Sequence, residues 1–103
     1  MNNIQETVDR FTKKHQLSTE IHNWLIDLTS EVGELCKEYN KATDYGQKNF
    51  KANKDFEMEL GDVFFSLLLI SNLIDIDVEE TLNKTILKLK GRMRLKGNLG
   101  SGK

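Results

Sequence analysis

No proline occurs anywhere in the chain, so no position in its 103 residues is barred from a helix interior. There is one cysteine, Cys36, which excludes an internal disulfide and fits a reducing, cytoplasmic setting. The seven glycines stand at single interior positions or gather in the tail, and they do not punctuate the chain as the turns of a β-meander would. Charge of one sign is also lacking. A net charge of −1 carries no basic signal for nucleic acid or an anionic membrane surface. The longest apolar stretch, 63–70, is interrupted by Ser66 and is far too short to span a bilayer. The first residues show no basic segment followed by an apolar one, so no signal peptide is read. What remains is one domain's length, 38% hydrophobic and 30% charged, the profile of a strongly patterned helical protein.

The periodicity predicts an all-α fold with helices over 3–15, 20–41, 51–74 and 78–95, in a single domain covering 1–96 with a flexible tail over 97–103. Ile4, Val8 and Phe11 mark the first helix, and Ser18 or Thr19 is expected to cap the second. In the second helix Ile21, Trp24, Leu25, Leu28, Val32, Leu35, Cys36 and Tyr39 form one apolar sector, and both Trp24 and Cys36 are read as core. The segment 43–49 is a polar loop with turn chemistry at Asp44 and Gly46. Asp77-Val-Glu-Glu80 reads as a capping box for the fourth helix, whose core stripe is Val78, Leu82, Ile86, Leu89 and Met93. In the third helix Phe56, Leu60, Val63 and Phe64 are expected to face inward. From Val63 onward that helix is apolar nearly all round, which implies burial against a second subunit.

Chemistry concentrates in two matching carboxylate pairs. Glu31-Val-Gly-Glu34 and Glu59-Leu-Gly-Asp62 each have i,i+3 spacing, which puts both carboxylates of a pair on one helical face beside the apolar sector. Four like charges brought to one spot repel strongly unless a cation lies between them, and oxygen-only donors favour Mg²⁺ or Mn²⁺. Gly33 and Gly61, costly in a helix, are expected to permit close backbone approach there. Lys84, Lys88 and Arg92 form a basic i,i+4,i+8 stripe on the fourth helix. His15 and His22 lack ligand spacing, and no Glu-x-x-His occurs, which argues against a di-iron carboxylate bundle. Asp27 and Asp55 read as solvated, and Asn72 lies off the carboxylate face. Residues 97–103 match the letters of a phosphate-binding loop but follow no strand and end without Ser or Thr, so that reading is rejected.

Glu-x-x-Glu, a gap of 24 residues and Glu-x-x-Asp, set in Ser30-Glu-Val-Gly-Glu-Leu-Cys-Lys-Glu38 and Glu57-Met-Glu-Leu-Gly-Asp-Val-Phe-Phe64, resembles the signature of the MazG-like all-α nucleoside triphosphate pyrophosphohydrolases. The resemblance extends through Ile74-Asp-Ile-Asp77 and the basic stripe, over about residues 20–103. It implies a helical subunit of four-helix-bundle type that forms a dimer or a dimer of dimers. It also implies Mg²⁺-dependent cleavage of a nucleoside triphosphate to a monophosphate and pyrophosphate. By position, Glu31, Glu34, Glu59 and Asp62 would be metal ligands, and Lys84, Lys88 and Arg92 would meet phosphate oxygens.

Two departures stand out. Many relatives carry a further Glu immediately before the first motif, where this chain has Ser30; Glu38, or a metal-bound hydroxide, would then serve as base. Some relatives carry Asn where this chain has Ile86. The alternatives are a related dUTP/dUDP or phosphoribosyl-ATP hydrolase, or a catalytically silent helical dimerisation module.

Overall fold

A computed structural model describes residues 2–97, and among them all regular structure is helical: α1 (Asn3–Lys14), α2 (Ile21–Ala42), α3 (Lys54–Leu73) and α4 (Val78–Lys96). The tail reading beyond residue 97 lies outside the described residues. No described helix is long and apolar enough to cross a membrane.

The helix boundaries follow local chemistry. Asn2, Asn53 and Asp77 cap α1, α3 and α4, their side chains accepting from the backbone N–H of Gln5 (2.9 Å), Phe56 (2.8 Å) and Glu80 (3.0 Å). Asp77 thereby supplies the N-cap half of the expected capping box, and the Glu80 N–H holds its carboxyl below the usual range. At α2 the expectation needs correction. The N-cap residue is Glu20, which makes no side-chain cap bond. Ser18 lies two residues before it, its hydroxyl accepting from Glu20 N–H (3.1 Å) and its carbonyl from Trp24 Nε1–H (2.8 Å). The α2–α3 loop turns on left-handed residues, Asp44 (φ 50), Tyr45 (φ 55) and Gly46 (φ 90), two of them foreseen. Thr43, buried at the turn, accepts from Gly46 N–H (3.1 Å).

Helices α2 and α3 pair as an antiparallel hairpin: Trp24 lies against Phe65, whereas Glu31, further along α2, lies by Glu59, earlier in α3. Along α2 the half-buried residues are Ile21, Trp24, Leu28, Glu31, Leu35, Glu38 and Ala42. Along α3 the facing set is Phe56, Glu59, Val63, Ser66, Ile70 and Leu73. Both alternate steps of three and four, the seam of coiled-coil packing, and Glu31, Glu38 and Glu59 occupy seam positions. Helix α1 packs antiparallel on the next face of α3, with Phe11 edge-on to Phe65 (5.9 Å) and Gln5 at Asn72. The small core is Val8, Leu68 and Leu69, joined by Leu17, Trp24, Phe65, Leu73 and Val78. Trp24 is thus a packing residue, as expected.

Helix α4 does not close a bundle. It packs along none of the other described helices, and its start is anchored to α1 and α3. The anchor is Gln5, 1% exposed. Its carbonyl oxygen Oε1 accepts from Val78 N–H (2.9 Å) and Asn2 Nδ2–H (2.6 Å), while its Nε2 donates to Asn72 Oδ1 (2.9 Å) and the Ile76 carbonyl (2.7 Å). Asn72 returns a bond to the Gln5 carbonyl (3.0 Å). The radius of gyration, 16.8 Å, exceeds the roughly 13 Å of a compact chain this long.

Several apolar residues expected in the core therefore stand open in the subunit. Leu25, Val32, Tyr39, Leu60 and Phe64 are between 43% and 50% exposed, as is Leu67 beside them on α3 (45%), and Cys36, read as core, is exposed. The physical reason is angular. At about 100° per residue, Leu25, Val32, Cys36 and Tyr39 lie roughly 80–140° round α2 from Glu31, beyond the seam. Gly33 and Gly61 are corrected likewise: a Cβ added at either would meet nothing within 4 Å, so no close approach inside this chain requires them.

Replacing Gln5 by Ala removes the bonds that join three helices and leaves the half-buried Asn72 Oδ1 without this donor. We expect a loss of about 2–4 kcal/mol in urea unfolding followed by circular dichroism; a change under about 0.5 kcal/mol would show the clamp to be incidental.

Candidate metal centre

The hairpin seam sets the geometry of the site. Glu31 projects from α2 and Glu59 from α3 into the same seam, and Asp62 reaches it from the adjoining flank of α3. One carboxylate oxygen from each of the three lies within 4.8 Å of the others. Glu31 and Glu59 are half-buried and Asp62 is exposed, so the trio opens to solvent on one side.

Glu59 is the strained member. Its Oε2 is shut off from solvent and finds no hydrogen-bond partner. Loss of hydration pushes its carboxyl pKa up, and the charges of Asp62, Glu31 and Glu34 push it further, as does a hydrogen bond with Glu31. A buried, unpartnered carboxylate oxygen facing other carboxylates is an unmet demand for positive charge. The donor set is all oxygen, which fits a hard divalent cation such as Mg²⁺.

The other residues singled out in the sequence fall around this centre to different degrees. Glu34 is exposed and outside the trio, yet close enough for its charge to act on Glu59. Glu38 lies in the seam further along α2 and pairs with Lys41 (3.5 Å), its side chain only 12% exposed. Lys84 pairs with Glu80 on its own helix (3.6 Å) and Lys88 is exposed. Arg92 is half-buried. All three basic residues stand on α4, which packs along neither α2 nor α3. Asp27 and Asp55 are exposed, as expected. The reading of residues missed the structural part played by Gln5 and Asn72; a polar Gln within an apolar stripe, beside a capping Asn, is the signal that marks them.

A helical hairpin carrying three converging carboxylates around a dehydrated, unpartnered oxygen defines an all-α domain with an acidic, cation-type centre. The MazG nucleotide pyrophosphohydrolase domain matches residues 19–94, which take in α2, α3 and nearly all of α4. The chain belongs to that family. It is 37% identical over 98 residues to the uncharacterized protein YpjD of Bacillus subtilis (strain 168), with 89% of this chain and 85% of that protein covered. No solved structure gives a significant match.

Because the folded-state pKa of Glu59 is raised, the cluster favours folding while Glu59 is protonated, and that contribution is lost as pH rises through the folded pKa. In chelator, the melting temperature of Glu59→Gln should therefore climb relative to that of the unmodified chain as pH rises from the ordinary carboxyl range. Added Mg²⁺ should narrow the gap by stabilising the unmodified chain. Parallel melting curves at every pH would contradict the raised pKa.

Proposed function

We propose that this chain is a divalent-metal-dependent pyrophosphohydrolase that converts a (d)NTP to a (d)NMP and pyrophosphate. The observation that carries the reading is the dehydrated Glu59 oxygen set among Glu31 and Asp62 in a chain of this family. Glu31, Glu59 and Asp62 would hold Mg²⁺, or Mn²⁺ in its place, with Glu34 completing the acidic set. When bound, the metal offsets the repulsion between these carboxylates and a polyphosphate and lowers the pKa of water.

The chain's own groups supply the rest. Glu38, fixed by Lys41 and standing apart from the trio, is the carboxylate left to accept a proton from the attacking water; Ser30 cannot do so at neutral pH. The Lys84, Lys88 and Arg92 stripe would meet phosphate oxygens.

Self-association into a dimer or a dimer of dimers fits the open apolar faces. Leu25, Val32 and Tyr39 on α2 lie on the same flank of the hairpin as Leu60, Phe64 and Leu67 on α3, and this flank is opposite the one bearing Glu34 and Asp62. Gly33 and Gly61, which nothing inside the subunit requires, adjoin it.

A panel of (d)NTPs, dUDP and phosphoribosyl-ATP with Mg²⁺, with the products identified, tests the proposal and separates it from the dUTP/dUDP and phosphoribosyl-ATP alternatives. Glu59→Gln and Asp62→Asn should each lower kcat by about 10²-fold or more, the scale of lost electrostatic stabilisation, with helical circular dichroism unchanged. Absence of product from every member of the panel, with a flat calorimetric trace for Mg²⁺ and a non-hydrolysable nucleotide, would leave the silent module as the answer.

A further inference from the structure

We infer that the α3–α4 corner, locked by Gln5 and Asn72, is the positioning element that aims the Lys84, Lys88 and Arg92 stripe at the substrate's phosphates; this rests on the pyrophosphohydrolase reading for the phosphate role of that stripe. Helix α4 packs along neither α2 nor α3, so the carboxylate seam does not hold those cations in place. Their position is decided where α4 starts. Lys84, Lys88 and Arg92 stand about 9, 15 and 21 Å along the axis from Val78 at the helical rise. A tilt of about 15° at the corner would move them by roughly 2, 4 and 5 Å. A charge-assisted hydrogen bond to a phosphate oxygen spans about 2.7–2.9 Å, so a shift of that size breaks it.

The corner is built to resist such a tilt. Helix α3 closes with Asp75 N–H donating to the Asn72 carbonyl (3.3 Å) and Ile76 N–H donating to the Ser71 carbonyl (2.9 Å). Asp75 takes the left-handed conformation (φ 54) that glycine commonly holds at a helix end, and its side chain narrows the backbone's freedom there. Asp77 then caps α4 through Glu80 N–H (3.0 Å). Gln5 spans the short stretch between these two ends. Its Nε2 donates to the Ile76 carbonyl (2.7 Å) on one side, and its Oε1 accepts from Val78 N–H (2.9 Å) on the other. With Asn72 Oδ1 and Asn2 Nδ2 as the further partners, every hydrogen-bonding position of the amide is filled. An apolar residue at this 1% exposed position would supply packing without a direction, whereas a saturated buried amide ties both sides of the corner to α1. Asn72 lies about 15 Å along α3 from Asp62, so the clamp acts on the phosphates through α4 and not by contact.

The test uses the full chain and three readouts: calorimetric binding of an α,β-methylene nucleoside triphosphate with Mg²⁺, binding of Mn²⁺ without nucleotide, and pyrophosphate release. Gln5→Met nearly keeps the side-chain volume and removes every bond of the Gln5 amide group. It should weaken nucleotide binding about 10- to 100-fold, the range of one lost hydrogen bond to a charged group, and leave Mn²⁺ affinity unchanged. The triple variant Lys84→Gln, Lys88→Gln, Arg92→Gln should itself bind nucleotide more weakly, and adding Gln5→Met to it should bring no further loss. Asn72→Ser, a smaller cut in the same clamp, carries the same comparison if Gln5→Met loses helical circular dichroism. Unchanged nucleotide affinity in the clamp variant, equal loss for Mn²⁺ and nucleotide, no loss in the triple variant, or an undiminished clamp effect within it overturns the assignment. Clamp-dependent nucleotide binding in a chain that releases no pyrophosphate from any (d)NTP would sink the hydrolase reading and leave the aiming of α4 standing.

Discussion

Mutual repulsion of carboxylates inside a helix–helix seam is the constraint on which this structure turns. Coiled-coil packing asks for apolar side chains at seam positions. This chain puts Glu31, Glu38 and Glu59 there instead. Seam carboxylates weaken the hairpin in isolation, and two remedies are visible. Glu38 has Lys41 beside it; Glu59 has only further carboxylates, so its proton affinity rises and one oxygen stays without a partner. A fold that keeps such a group in its most organised interface makes sense when a cation completes it.

The remaining architecture can be read as support for that seam. Helix α1 packs antiparallel on α3, with Phe11 edge-on to Phe65 and Gln5 at Asn72. The Gln5–Asn72 clamp fixes the far end of α1 and starts α4 in a set direction, although no other described helix packs along α4. Core residues are few, and much apolar surface on α2, α3 and α4 remains open. The subunit is an incomplete hydrophobic object, and the proposed self-association rests on that exposed surface.

Much of this was legible in the sequence because its strongest signals are local. The four helices begin and end within a few residues of the positions set by periodicity, and the Asp77 cap and the left-handed turn at Asp44 and Gly46 follow from residue chemistry. The carboxylate pairs were legible too, since i,i+3 spacing beside an apolar sector fixes a direction; the structure brings Glu31, Glu59 and Asp62 together and leaves Glu34 at the edge. Properties that depend on what lies across from a residue were not. Cys36 belongs to the apolar sector of α2, but α3 covers only the seam and leaves it exposed. Gly33 and Gly61 suggested close approach, yet face open space. Gln5 and Asn72 are 67 residues apart, and no single-helix pattern pairs them.

The most direct test of the central claim is a Mn²⁺ titration followed by electron paramagnetic resonance, in the absence of nucleotide. Saturable binding should be lost in Glu59→Gln and Glu31→Gln, and retained in Asp27→Asn and Asp55→Asn, which remove exposed acidic charge outside the seam trio. Equal weakening by all four substitutions would mean that cations respond only to general acidity, and the account of a seam completed by a bound cation would be contradicted.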